Sequence, residues 1–74
     1  MKLQELRKNK GLSQSQLSKL SGVPLRTIQQ WECGQRDIDG AALERLCDLA
    51  IALDCKIYDI IESPKVIEKL LKII

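Results

Sequence analysis

The stretch SGVPLRTIQQWECG, residues 21–34, holds one arginine and two glutamines around two apolar anchors. Ile28 and Trp31 lie three residues apart, so on a helix they share one face and point into a core. Arg26, Gln29 and Gln30 then fall on the sides that cannot be core. A guanidinium fork matches O6 and N7 of guanine, and a glutamine amide matches N6 and N7 of adenine. A lone exposed Arg or Gln on a helix is usually solvated surface. Three of them on one short helix with two buried anchors point to reading base edges.

The flanking residues say how such a helix is held. Ser21-Gly22 ends the preceding helix, because Gly22 takes positive φ at no steric cost and permits a sharp turn. Val23 closes the corner, and Pro24 is tolerated in the first turn of the next helix. That helix runs to about Cys33 and stops at Gly34. Upstream, Ser13 and Gln16 form a capping box, and Leu12 with Leu17 forms its hydrophobic staple. This predicts a helix starting at Ser13 with Leu17 and Leu20 inward. Two short helices joined by a glycine turn make a helix-turn-helix arrangement.

The rest of the chain reads as further short helices. Leu3 and Leu6, followed by Gly11, predict a first helix with a glycine stop. Residues 35–39, QRDID, read as a polar loop whose Asp39 caps a fourth helix. There Leu43, Leu46, Cys47, Ala50 and Leu53 recur at helical spacing. Asp54-Cys55 breaks that helix, and Ile57, Ile60 and Ile61 form a short fifth. Ser63-Pro64 signals a new start. In the tail, Val66, Ile67, Leu70, Leu71 and Ile74 make a broad apolar stripe.

Composition narrows the function classes. Seventy-four residues make one small domain, and with no Phe, one Trp and one Tyr its core must be aliphatic. Residues 1–36 hold seven basic and two acidic side chains, whereas residues 37–74 hold five basic and eight acidic. The basic half suits an acidic partner such as a phosphate backbone, although a solvated surface accounts for such asymmetry equally well. The cysteines Cys33, Cys47 and Cys55 form no CxxC pair, and there is no His. Neither a metal site nor a disulfide framework fits this set, and no cofactor is expected. With no nucleophile–base pair and no phosphate-cradling glycine loop, an enzyme is the poorest fit. No apolar run reaches a membrane span and no signal-peptide core follows the N-terminus, so a cytoplasmic protein is expected.

The chain resembles the lambda-repressor-like (Xre-type) helix-turn-helix DNA-binding domains over roughly residues 3–61. The resemblance rests on LQELRKNKGLSQSQLSKLSGVPLRTIQQWECGQR and on ALERLCDLAIALDCKIYDII. Its most specific part is GLSQ, then Leu17, SGV, RTIQQWE and Gly34, each at the family spacing. It implies an all-α fold of five short helices, here within residues 1–62, with the motif's second helix in the major groove of double-stranded DNA. By position it implies a phosphate contact at Gln14. It puts Leu25, Arg26, Gln29 and Gln30 on the exposed face of the recognition helix, and Thr27, Gln35 and Arg36 near the flanking backbone. It also implies an ion pair between Arg7 and Glu32. Two positions depart from the family pattern at the reading helix: Pro24 supplies neither a cap nor an N–H, and Leu25 can touch a thymine methyl but cannot hydrogen-bond. Asp54 stands where a glycine is common.

Residues 63–74 are expected to form a further C-terminal helix. Its stripe of Val66, Ile67, Leu70, Leu71 and Ile74 is wide for one small core and reads as a dimer or partner contact. The alternatives are packing on its own domain or the end of a longer chain. The expected function is a transcriptional regulator, a repressor binding a palindromic operator as a homodimer. A second reading is an antitoxin or regulator subunit whose C-terminal helix grips a toxin or other protein. A third is a protein-interaction module without specific DNA binding.

Overall fold

The computed structural model describes residues 1–73, and all of its regular structure is helical. In chain order the helices are α1 (Lys2–Asn9), α2 (Gln14–Ser21), α3 (Leu25–Glu32), α4 (Leu43–Leu53), α5 (Ile57–Ile60) and α6 (Pro64–Ile73). One 3-10 turn, Ile38–Gly40, lies between α3 and α4. Five helices and a C-terminal sixth match the expected architecture.

The motif helices start and stop for local reasons. At α2, the Ser13 hydroxyl accepts from the Gln16 N–H at 3.0 Å, and the Gln16 side chain accepts from the Ser13 N–H at 2.8 Å. Both bonds of the capping box are therefore made. Gly22 ends α2 at φ 76°, and the Ser18 hydroxyl donates to the Val23 carbonyl at 2.6 Å across the turn. Pro24 stands just outside α3, so that helix begins at Leu25.

The core is aliphatic around one indole. Leu3, Leu17, Ile28, Leu49, Leu53 and Ile60 are among its fully covered side chains, and Trp31 is 4% exposed. Ile67 and Leu70 bring α6 onto this core.

Three expectations about packing are corrected. Leu20 is 62% exposed. The covered face of α2 runs through Leu17, Ser18, Ser21 and Gln14, and Leu20 lies on the far flank of Leu17. Leu43 is likewise 67% exposed, because α4 buries Leu46, Leu49, Ala50 and Leu53 and its inward stripe is rotated away from Leu43 and Cys47. Asp39 does not cap α4. Ala42 precedes that helix with no side-chain cap, and the Asp39 carboxylate accepts instead from the backbone N–H groups of Glu62 and Ser63. The segment 35–39 is also less polar than its composition suggests, since Ile38 is buried in the core. At Asp54 the chain adopts φ 51°, the left-handed conformation expected from its place in the turn.

Candidate nucleic-acid interface

Helix α3 is pinned by Ile28 and Trp31, both buried, and this orients everything else on it. Arg26 and Gln29 are exposed on the opposite side, and Gln30 is half-buried one turn beyond Arg26. Leu25 and Thr27 are half-buried at the flanks of this face. Arg26 and Gln29, with Gln30 beside them, therefore form one outward patch on α3, flanked on its two sides by Leu25 and Thr27.

The end of α3 brings in the loop. Gly34 takes φ 83°, which lets the chain turn back so that the Gln30 carbonyl accepts from the N–H groups of Gln35 (2.9 Å) and Arg36 (3.1 Å). This is the glycine helix-stop geometry that satisfies orphan carbonyls. It leaves the side chains of Gln35 and Arg36 exposed beside the C-terminal end of α3.

Gln14 is tied to the same end. Its side-chain amide donates to Glu32 Oε1 at 3.1 Å. Glu32 also receives Arg7, with Nε to Oε2 and Nη2 to Oε1 both at 2.8 Å. Arg7 Nη1 donates to the Leu12 carbonyl at 2.8 Å. A buried guanidinium thus joins α1, the chain leading into α2, and the end of α3. The Glu32 hydrogen bond holds the Arg7 guanidinium protonated more firmly than usual, against the opposing effect of burial. This bidentate pair fixes the angle between α3 and the rest of the domain. The ion pair implied by the resemblance is present.

Arg45 is a basic residue that sequence reasoning missed. It shares a surface groove with Trp31, Arg36, Asp37, Ala41 and Ala42. The uncapped start of α4 opens there, so two arginines and a helix N-terminus converge, with Asp37 partly offsetting their charge. No local pattern marks Arg45. Only the packing of α4 against the α3–α4 loop brings it to this face.

The C-terminal stripe divides. Ile67 and Leu70 turn partly into the protein's own core, while Val66 and Leu71 stay exposed. Ile73, absent from the expected stripe, is 77% exposed. Ile74 lies outside the described residues. A second apolar surface surrounds Ile51, which is 79% exposed, with Cys47, Cys55 and Ile57 beside it. Among the described residues no helix is long and apolar enough to cross a membrane.

No curated protein and no solved structure matches the chain. Residues 3–60, from α1 through α5, match the helix-turn-helix family model, and the chain belongs to the lambda-repressor-like (Xre-type) helix-turn-helix family of DNA-binding transcription regulators.

Proposed function

We propose that this protein is a sequence-specific repressor that binds a palindromic operator as a homodimer. The observation that carries this reading is the outward patch of Arg26, Gln29 and Gln30 on a helix pinned by Ile28 and Trp31. Arg26 and Gln30 read base edges, with Gln29 beside them and Leu25 against a thymine methyl. Gln14, Thr27, Gln35 and Arg36 contact phosphates and set the register, and Arg45 adds charge beside Arg36. Two copies present their α3 helices to half-sites about 34 Å apart. Val66, Leu71 and Ile73 on α6 supply apolar surface for pairing, joined at their edges by Ile67 and Leu70. A regulator of this kind acts in the cytoplasm, a compartment that suits three free cysteines.

The same exposed α6 residues support one alternative, an antitoxin or regulator subunit in which the helix grips a different protein. Selection of random duplex DNA on wild type and on Arg26→Ala tests the main reading at near-physiological salt. The expected result is a palindromic motif whose guanine preference relaxes in the variant, with discrimination falling by about 1–3 kcal/mol. Salt-sensitive binding with no enriched motif would overturn the specific-repressor reading and favour the partner-binding one.

A further inference from the structure

The connection between α5 and α6 is gripped from two sides. On one side, the Lys2 ammonium donates to the carbonyls of Tyr58 (3.1 Å) and Ile61 (2.8 Å), and the Lys2 N–H donates to the Glu62 carboxylate at 2.7 Å. On the other side stands Asp39. Its Oδ1 accepts from the Glu62 N–H at 2.7 Å and its Oδ2 from the Ser63 N–H at 2.8 Å. These contacts span 23 and 24 residues of sequence. A charged acceptor with two oxygens satisfies two adjacent donors at once, which fixes direction as well as distance.

Asp39 belongs to the loop that carries Gln35 and Arg36. At one end this loop is anchored by the Gln30 carbonyl. At the other it is anchored by buried Ile38, by the Asp37 cap on the Asp39 N–H (3.0 Å), and by the Asp39 carboxylate on the start of α6. The carboxylate reaches Glu62 and Ser63, the two residues that lead into α6. The base-reading face has separate anchors, Ile28 and Trp31.

We propose that Asp39 is a positioning residue for DNA binding, joining the phosphate-contacting loop to the start of α6 so that the two move as one unit. The proposal rests on the DNA-backbone role given above to Gln35 and Arg36. Its consequence is a coupling. Whatever engages α6 changes affinity for the DNA backbone, and DNA changes affinity for whatever engages α6 by the same factor. Base preference stays unchanged, because α3 is held elsewhere.

The test compares the full chain as wild type, Asp39→Ala, Asp39→Asn and Asp37→Ala. Duplex affinity is measured across a salt series. Asp39→Ala is expected to bind about tenfold more weakly, with its salt slope reduced by about 1 and base preference retained. Asp39→Asn keeps one acceptor oxygen and falls between. Asp37→Ala leaves the contact to α6 intact and removes an acidic group beside Arg36 and Arg45, so it is expected not to lose affinity, and a loss matching that of Asp39→Ala overturns the proposal. A folded Asp39→Ala with the wild-type salt slope overturns the proposal. So does loss of folding in both Asp39 variants, since the residue then serves stability alone.

If wild type binds no duplex, the DNA reading fails, and the coupling is read by amide hydrogen exchange on the free chain. Asp39→Ala should then speed exchange at Glu62, Ser63 and residues 35–37 together, leaving Ile28 to Trp31 protected. A change confined to Glu62 and Ser63, or none at all, overturns the coupling.

Discussion

Helices α3 and α6 are both short and amphipathic, yet the domain uses them in opposite ways. Helix α3 buries its apolar residues Ile28 and Trp31 and turns mostly polar groups outward. Helix α6 has no fully buried residue and leaves Val66, Leu71 and Ile73 in solvent. The difference lies in what each packs against. Helix α3 sits in the angle between α2 and the core and is locked at its end by Arg7. Among the described residues, Ile67 and Leu70 are the partly buried apolar side chains by which α6 meets the core. A helix whose apolar side is fully used is a fixed platform for polar chemistry. One whose apolar side is partly used is a surface for association.

The largest effect that tests this contrast comes at the lock on α3. Arg7→Ala strands the Glu32 carboxylate and leaves the Leu12 carbonyl without its donor, and is expected to cost about 3–5 kcal/mol. Thermal melting reads this directly, and a wild-type curve would remove the pair from the account of α3. Next, Ile28→Ala should cost about 3 kcal/mol by opening a cavity in a filled core. Its counterpart Ile73→Ser should leave monomer melting within about 0.5 kcal/mol while weakening self-association in sedimentation. A large loss of monomer stability from Ile73→Ser would erase the contrast.

Smaller effects separate the turns of the two regions. The α2–α3 corner uses Gly22 for its left-handed residue, whereas the α4–α5 corner uses Asp54. Asp54→Gly should therefore stabilise by up to about 1 kcal/mol, measured by denaturant midpoint at constant slope. The smallest effect is on pH dependence. Burial first, then Asp59 and Asp54, push the Cys55 thiol above its ordinary range. A raised thiol means the folded state holds its proton longer than the unfolded one. Its contribution is present at neutral pH and is lost as pH rises through the folded thiol's alkaline titration. Cys55→Ala should flatten that alkaline decline in melting temperature, and Cys55 should react with thiol reagents more slowly than exposed Cys33.

Much of the motif was legible because its signals are local. Ser13 and Gln16 are three residues apart, and the Gly22 turn needs only its own backbone freedom. Arg7 and Glu32 came from the family resemblance, not from any local pattern. The C-terminal region was harder. A helical wheel says that one face of α4 is apolar, but not how far tertiary packing rotates it, so the stripe through Leu43 and Cys47 gives way to one that includes Leu49. Asp39 had a plausible cap position nearby in sequence, and the partners it found lie more than twenty residues away. Arg45 is marked by nothing except the groove it shares with Arg36. As for the DNA contacts, the fold shows which side chains stand outward on α3, because Ile28 and Trp31 fix its buried side.

The chain has one tryptophan and no phenylalanine, and Trp31 is 4% exposed at the end of α3. All indole fluorescence therefore originates from a single point at the end of α3. In the native protein the indole is largely covered, so collisional quenchers reach it far less than in the unfolded chain, and unfolding moves its emission to the red. Its emission in the free protein therefore reports the folding of α3 before any duplex reaches the groove that Trp31 shares with Arg36 and Arg45. One emission spectrum, recorded beside a binding titration, thus tells a variant that has lost its grip from one that has lost its shape.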